Sequence, residues 1–428
     1  MGSVTYKRAD FRGWNAVYLS NELVSLVAVP DIGGRIMEYN LGEYEYLFVD
    51  PDLAGKLFTP EENYGSGRLV DWKNYGGEKT WPAPQGWESE SEWHGPPDPV
   101  LDTGIYTIED LGGDDTFVGL KMVSPSDPRT GIQISRKVKL KPGSSRVYLD
   151  LAFTNVSQRP IRWSIWDVVQ LNASRKDLHG AFNFDPGCFI TAPLNPASCF
   201  PKGYNVMFGE EDNPQWQTDT ASMLFKAAYK WEIGKVGIDS PGGWIAFSNT
   251  SKGYGFVEMF EYEAGGEYPD SGASVECWTV GAGVVDTLNY EDTQIYLMET
   301  EVLSTIRAID PGESSLFKLE WGACCCPELI VEVSEAGCFS TPLNTSREAG
   351  GVRLQADFGV FDVGMLQLSW VDECGEIIMR QELGRVSPLE AVQFDKLFKR
   401  PPGSVEIVLG IIPDISKKFQ LLSRKHLD

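Results

Sequence analysis

The stretch from Asn74 to Trp87 reads NYGGEKTWPAPQGW and combines residue types that suit a small polar ligand. Sugars present hydroxyl groups at their rims and C–H groups on their faces. A sugar site therefore needs a flat aromatic ring, amides or carboxylates, and a cation. The stretch supplies this mixture through Asn74, Glu78, Lys79, Trp81, Gln85 and Trp87. We predict a carbohydrate-binding loop in which Lys79 donates a proton or stabilises an anionic sugar.

The same stretch has features of a rigid loop. Its Gly pair, Gly76 and Gly77, allows the backbone to approach a ligand closely. Its prolines lower the entropy that is lost on binding. No strand or helix period runs through the stretch, which predicts an ordered loop. The alternative is a loop whose tryptophans only close the edge of a β-sandwich.

A second polar pair lies in the apolar run SIWDVVQL, which begins at Ser164. Asp167 and Gln170 have β-branched neighbours there, so we expect the carboxylate to be buried or to face a cleft. A buried charge needs a partner, and Arg35, Arg136 and Lys79 are candidates. A purely structural ion pair is one interpretation. In the other, Asp167 faces the cleft and acts as an acid whose pKa is raised by burial. Lys235 and Trp244 are further candidates for the same cleft.

Histidine and cysteine usage limits the chemistry of the chain. Only three histidines occur, His94, His179 and His426, and the eight cysteines include no C-x-x-C pair. The sequence therefore predicts no metal site, and it shows no phosphate-binding or dinucleotide-binding fingerprint. We expect no cofactor, and we expect reduced thiols in a cytoplasmic setting.

The charge balance limits the partners. The chain carries 37 basic and 61 acidic residues, for a formal net charge of −24. This charge argues against nucleic acid, whose backbone needs clustered Lys and Arg, and against an anionic membrane. No run resembles a signal peptide or a bilayer span. We expect a soluble monomer or homodimer.

Short strand patterns dominate the 428 residues. Six segments are rich in β-forming residues and are bounded by turn residues. They are VSLVAVP from Val24 and the segments 104–110, 116–122, 131–140, 146–154 and 161–171. Weak helical patterns occur only near 219–229 and 388–398. The pattern predicts an all-β protein with a large sandwich over residues 1–325. A second set of strand patterns predicts a small C-terminal β-sandwich domain over residues 326–428, of unknown role.

Several stretches of the first 325 residues resemble the galactose mutarotase-like superfamily, which includes the aldose 1-epimerases. In chain order they are AVPDIGGRI from Ala28, SR at Ser135, GSS at Gly143, TNVS at Thr154, SIWDVVQL at Ser164, YPDS at Tyr268, PGES at Pro311 and LEW at Leu319. NYGGEKTWPAPQ and SIWDVVQL are most similar to an uncharacterised branch, the domain of unknown function DUF4380. The resemblance implies a galactose mutarotase-like β-supersandwich and a carbohydrate ligand.

The resemblance also implies a mechanism that this sequence departs from. In the family, a Glu takes the proton of the anomeric hydroxyl while a His protonates the ring oxygen. Trp166 stands where that His would be, and an indole is no general acid near neutral pH. Tyr75 precedes the Gly pair where a second family His would stand. Glu258 is the best match to the base and Glu261 the second.

The resulting hypothesis assigns catalysis to Glu258 as the base and to Asp167, Lys79 or His94 as the acid. The expected substrate-binding residues are Asn74, Tyr75, Glu78, Trp81, Gln85, Arg35, Arg136, Trp166, Gln170 and Glu261. One alternative is a non-catalytic sugar-binding or regulatory protein that has lost the His. Another is an enzyme like a polysaccharide lyase, in which Tyr75 and Lys79 would handle a uronate.

Overall fold

The computed structural model describes residues 4–86, 89, 91–114, 116–286 and 288–427. Strands account for most of the regular structure. The strands up to residue 172 are β1 (Thr5–Phe11), β2 (Trp14–Ser20), β3 (Val24–Val29), β4 (Arg35–Leu41), β5 (Tyr44–Glu45), β6 (Glu78–Ala83), β7 (Thr107–Asp114), β8 (Phe117–Val123), β9 (Ile132–Leu140), β10 (Val147–Asn155) and β11 (Ile161–Asn172).

The strands between residues 174 and 325 complete the larger part of the fold. They are β12 (Ser174–Lys176), β13 (Phe182–Phe184), β14 (Cys188–Pro193), β15 (Asn205–Phe208), β16 (Trp216–Asp219), β17 (Leu224–Ala228), β18 (Gly234–Ile238), β19 (Trp244–Asn249), β20 (Tyr254–Phe260), β21 (Val275–Thr279), β22 (Val284–Val285), β23 (Leu288–Asn289), β24 (Leu297–Leu303), β25 (Arg307–Ile309) and β26 (Ser314–Cys325).

The remaining strands are β27 (Glu332–Val333), β28 (Gly337–Glu348), β29 (Gly351–Val360), β30 (Gly364–Asp372), β31 (Ile377–Val386), β32 (Val392–Phe398), β33 (Ser404–Pro413) and β34 (Gln420–His426). The helical segments among the described residues are short: one α-helix, α1 (Pro60–Tyr64), and 3-10 turns at Pro30–Ile32, Leu69–Asp71 and Tyr290–Asp292. None of the helices in the described part of the chain has the length and apolar character that a membrane span requires.

Two large sheets enclose the main core. The 12-stranded sheet runs β1-β2-β3-β4-β6-β11-β24-β21-β18-β15, with β5 and β25 attached at its sides. The ten-stranded sheet runs β16-β17-β14-β19-β20-β26-β10-β9-β8-β7. Apolar residues of both sheets, such as Leu26 and Val302 of the first and Leu151 and Phe247 of the second, form one buried cluster. The predicted all-β sandwich is therefore present.

Two four-stranded sheets, β27-β28-β29-β32 and β31-β30-β33-β34, follow in the chain. Phe339 and Phe358 of the first share a core with Trp370 and Leu409 of the second, which makes them a small sandwich. The position of the boundary, between residues 325 and 326, stays a prediction.

The predicted helical patterns near 219–229 and 388–398 are wrong. The structure places β17 (Leu224–Ala228) in the first segment and most of β32 (Val392–Phe398) in the second. Short apolar runs lack a decisive period, so pairing with neighbouring strands determines their conformation. Strand β17 pairs with β14 and β16, and β32 pairs with β29.

The 74–87 stretch also differs from its prediction as a loop without strand structure. Residues Glu78–Ala83 form β6, which pairs with β11. The Gly pair before it is held tightly, since Gly77 has φ +72 and an added Cβ would lie 2.4 Å from the carbonyl oxygen of Ile36. Only glycine fits this approach without strain. The turn thereby fixes where β6 begins.

We expect Gly77→Ala to lower the free energy of unfolding by roughly 2–3 kcal/mol, because it combines a left-handed backbone with overpacking. Urea unfolding followed by tryptophan fluorescence measures the loss. Gly265→Ala is the matched control, since Gly265 has φ +76 with nothing within 4 Å of the added Cβ. Its cost should be about 1 kcal/mol. Equal losses in the two variants would contradict the role of the close approach.

Candidate functional site

Five neighbouring strands of the 12-stranded sheet carry the polar side chains of the candidate site, in the order β6-β11-β24-β21-β18. Alternate residues of a strand point to opposite faces. Glu78 of β6 meets Arg136 from the ten-stranded sheet, which identifies the inner face. Lys79 and Trp81 therefore lie on the outer face, which points away from the ten-stranded sheet.

Strand register aligns the outer residues into two rows. The first row is Lys79, Val168, Glu301 and Glu276. The second row is Gln170, Glu299, Trp278 and Lys235. Opposing residues on one face of a sheet lie close enough to interact. Charged residues that are far apart in sequence thus become neighbours.

A cavity of about 290 Å³ lies over these rows. Small-molecule sites span roughly 300–1,000 Å³, so this cavity suits a ligand of monosaccharide size. Its aromatic lining is Trp72, Trp81, Trp166, Phe208, Trp278 and Tyr290. The ring centroids of Trp81 and Trp166 are 5.4 Å apart at 67°. Aromatic faces of this kind accept the apolar C–H surface of a ring-shaped ligand.

Lys235 is the centre of an ion network at the cavity. Its Nζ lies 2.6 Å from Oε2 of Glu276 and 3.0 Å from Oε2 of Glu301. It also lies 4.2 Å from the centroid of a Trp166 ring. Trp166 Nε1 donates to the same Glu301 oxygen at 2.9 Å. This network fixes the Trp166 ring against the Glu301 carboxylate.

A second network holds Glu299. Its Oε1 accepts from Gln170 Nε2 at 2.6 Å and lies 3.2 Å from Lys79 Nζ. Lys79 is buried and lies 4.8 Å from the centroid of a Trp81 ring. Burial lowers the pKa of Lys79, while Glu299 opposes that change. Lys79 therefore anchors Glu299 beneath the cavity.

Three carboxyl groups in or beside the cavity, those of Glu301, Glu276 and Asp270, have raised pKa values. Burial raises the pKa of Glu301, and Lys235 opposes that change. Burial also raises the pKa of Glu276 well above its usual range. The pKa of Asp270, which lines the cavity, is raised by burial as well. Burial alone would lower the pKa of Lys235, but Glu276 and Glu301 raise it above its usual value.

Asp270 belongs to a strained turn at the wall of the cavity. It has φ 52 and the next residue, Ser271, has φ 65. Non-glycine residues in this left-handed region are uncommon and cluster at functional sites. The turn lies in the YPDS stretch and directs Asp270 into the lining.

Five of the predicted substrate-binding residues line the cavity: Asn74, Trp81, Gln85, Trp166 and Gln170. Lys79 lies just below them. Trp87 falls outside the described residues. Lys235, a further candidate in the sequence, lies in the cavity, whereas Trp244 belongs to β19 of the other sheet.

The structure places Glu78, Arg136, Asp167 and Glu258 outside the cavity lining. All four are fully buried between the two large sheets. Arg136 pairs with both carboxylate oxygens of Glu78, and Thr80 Oγ1 lies 3.4 Å from Asp167 Oδ1. The physical reason is alternation: Asp167 is flanked by Trp166 and Val168, which take the outer face. Neither Asp167 nor Glu258 lines the cavity that the 74–87 stretch borders.

Arg35 and Tyr75 are buried outside the cavity lining. Arg35 pairs with Asp102 and donates to the Gly76 oxygen at 3.1 Å. Tyr75 packs edge-on against Trp14, and burial raises its pKa to about 12. Neither residue lines the cavity: Tyr75 fills a separate apolar cluster, and Asp102, the partner of Arg35, accepts hydrogen bonds from the indoles of Trp72 and Trp81 in the lining.

His94 and Glu261 are not among the residues that line the cavity. His94 is half-buried, and burial, followed by Arg129, lowers its pKa. Glu261 is exposed and borders a depression of the ten-stranded sheet with Met259. The alternation that separates Glu258 from Met259 thus sends Glu258 into the core and Glu261 to the opposite, outer surface.

Glu276, Trp278, Glu299 and Glu301 were not predicted from the sequence. A usable signal exists in their strands, LMETEVL and VECWT. Glu299 and Glu301 are two residues apart in an otherwise apolar strand, and so are Glu276 and Trp278. Polar residues at that spacing share one face and mark a polar strip on a buried strand.

Comparison with known proteins agrees with this architecture. Residues 15–179 match the family described as a domain of unknown function, DUF4380. The fold is similar to that of a provisionally named aldose 1-epimerase from Klebsiella pneumoniae, with 13% identity, a TM-score of 0.51, and coverage of 76% of this chain and 84% of the other.

Galactose mutarotase-like proteins from Clostridium acetobutylicum and Lactobacillus casei are more distant. Their identities are 11% and 9%, with TM-scores of 0.43 for both. The first similarity covers 75% of this chain and 98% of the other, and the second covers 72% and 99%. Comparison with curated proteins finds no match. The match over residues 15–179 confirms the predicted resemblance to DUF4380, and the similarity to the Klebsiella protein confirms the predicted β-sandwich fold.

Proposed function

We propose that the protein binds a carbohydrate of monosaccharide size in the cavity over β6, β11, β24, β21 and β18. The observation that carries the proposal is the combination of indole faces and buried hydrogen-bond acceptors on one face of the sheet. Glu301 Oε1, Gln170 Oε1 and Asn74 Oδ1 are buried and have no hydrogen-bond partner among the described residues. Buried acceptors of this kind are costly unless a ligand supplies donors.

A pyranose ring satisfies both requirements. Its C–H face packs on the indoles of Trp81 and Trp166, and its hydroxyl groups donate to the free oxygens of Glu301, Gln170 and Asn74. The fold supports this proposal, because it is shared with the Klebsiella protein, whose name refers to an aldose 1-epimerase.

Interconversion of sugar anomers is a second candidate function, favoured by the carboxyl groups of the lining. Ring opening requires a base for the anomeric hydroxyl proton and an acid for the ring oxygen. Trp166 cannot donate that proton, and its N–H is already bonded to Glu301. Asp270, whose pKa is raised by burial, would serve as the acid, and Glu299 would serve as the base.

The lyase-like alternative has less support. It requires Tyr75 and a free Lys79 beside a uronate. Tyr75 packs in a separate cluster, and Lys79 is already paired with Glu299. We therefore do not propose it.

Saturation-transfer NMR with a panel of neutral and amino hexoses tests binding, and exchange between the α and β anomer signals tests catalysis. We expect binding that falls at least about tenfold in Trp166→Ala and in Gln170→Met, because each removes a ligand contact. Glu261→Gln is the control, since its exposed carboxylate is remote from the cavity. Thermal unfolding verifies that each variant folds.

The two candidate functions give different results. Faster anomer exchange that disappears in Glu299→Gln and in Asp270→Asn would establish the isomerase. Binding without faster exchange would establish a binding protein. Absence of binding across the panel would contradict the proposal.

A further inference from the structure

The charges at the cavity do not balance. Within the described residues, the cations that face the carboxyl groups of Asp270, Glu276, Glu299 and Glu301 are the amines of Lys79 and Lys235. Four carboxylates and two ammonium groups leave a formal charge of −2. Buried charge without a counter-charge is unfavourable, so such a site takes up protons or a cation.

The hydrogen-bonding groups at the cavity are also unbalanced, because the donors are committed to partners while several acceptors are not. Lys79 is committed to Glu299, and Lys235 bridges Glu276 and Glu301. The Gln170 amide donates to Glu299. Three lining atoms have no hydrogen-bond partner in the part of the chain that the structure describes, and all three are acceptors: Glu301 Oε1, Gln170 Oε1 and Asn74 Oδ1. A ligand of this site must therefore supply hydrogen-bond donors.

The aromatic lining accepts cations. The Nζ atom of Lys79 lies 4.8 Å from the ring centroid of Trp81 and 5.6 Å from that of Trp72. Lys235 Nζ lies 4.2 Å from that of Trp166. Ammonium groups within about 6 Å of an indole face are attracted by the ring quadrupole. The cavity thus combines indoles with excess carboxylate, which is the chemistry that recognises an ammonium group.

We propose that the ligand of the cavity is an amino sugar, whose protonated amine is held by Glu301 and the neighbouring carboxylates against the indole walls. This inference rests on the proposed carbohydrate-binding function and narrows its substrate class. An anionic sugar, such as a uronate or a sugar phosphate, would meet carboxylates and no uncommitted cation. A neutral sugar would satisfy the acceptors but would bring no positive charge to the unpaired oxygen of Glu301.

Calorimetric titration with matched sugars tests the proposal. D-glucosamine and D-galactosamine are compared with D-glucose and D-galactose, and with D-glucuronate and D-glucose 6-phosphate, at constant ionic strength and slightly acid pH. We expect one amino sugar to bind at least about tenfold more tightly than its neutral counterpart, and the anionic sugars not to bind. Glu301→Gln should reduce this preference severalfold, whereas Glu261→Gln should leave it unchanged. Glu299→Gln provides a second variant if Glu301→Gln does not fold.

The outcomes separate this inference from the function on which it rests. Neutral sugars that bind as tightly as amino sugars would overturn the amino-sugar assignment and leave carbohydrate binding intact. Tight binding of glucuronate or glucose 6-phosphate would do the same. Absence of binding by every sugar would overturn both proposals.

Discussion

Arg136→Met should destabilise the protein by about 3–5 kcal/mol, the cost of leaving a buried charge without its partner. Arg136 is fully buried between the two large sheets and pairs with Glu78. It also donates to the backbone oxygen of Gly34. Without the guanidinium, Glu78 must either remain charged in the core or take up a proton. Urea unfolding near neutral pH measures the loss.

Two further variants identify the cause. Glu78→Gln combined with Arg136→Met removes the stranded charge, so the double variant should be more stable than Arg136→Met alone. Arg162→Met breaks an exposed pair with Glu267, in which both side chains are more than half exposed, and should cost less than about 1 kcal/mol. A double variant that is less stable than Arg136→Met would contradict the ion-pair explanation.

How far the sequence predicted the site depends on which features are local. Trp81, Gln85 and Asn74 were recognised because their residue types occur together within one short stretch. The all-β fold was predicted because turn residues recur between β-forming runs. These signals lie within a few neighbouring residues and require no knowledge of strand order.

Residues whose role depends on strand register could not be placed in that way. Alternation predicts that Asp167 and Trp166 face opposite sides of β11, but it does not say which side holds the cavity. That depends on the ten-stranded sheet, which covers the Asp167 side. The ion network of Lys235, Glu276 and Glu301 likewise exists only because β18, β21 and β24 are adjacent.

This distinction also explains why Glu258 lies outside the cavity lining. Glu258 was chosen by its position relative to a family motif, and a motif match carries no information about the face. On β20 it points between the sheets, where it joins Asp167 and Glu78. We therefore expect the titration of Glu258 to change the free energy of unfolding with pH, which can be measured.

The stability of the protein should fall as the pH rises from about 5 to about 8, because buried carboxyl groups of the folded state retain their protons. Burial raises the pKa of Glu258 to about 8, and Glu78 acts in the same direction. Burial, followed by Glu78 and Glu258, raises the pKa of Asp167 well above its usual range. An unfolded Glu has a pKa of about 4.3. In this interval the folded state binds more protons than the unfolded state, so the free energy of unfolding decreases with rising pH.

Glu258→Gln isolates one of these protons. The variant cannot ionise at this position, so the decrease in stability between about pH 5 and about pH 8 should be smaller by up to ~1.4 kcal/mol per pH unit. As the pH rises, the free energy of unfolding of the variant should therefore increase relative to that of the wild type. Glu261→Gln is the matched control, because Glu261 is exposed three residues further along the chain, and its pH profile should follow the wild type. Urea unfolding at a series of pH values measures all three proteins. A Glu258→Gln profile parallel to the wild type would mean that Glu258 does not hold this proton, and Asp167→Asn would then be the variant that flattens the slope.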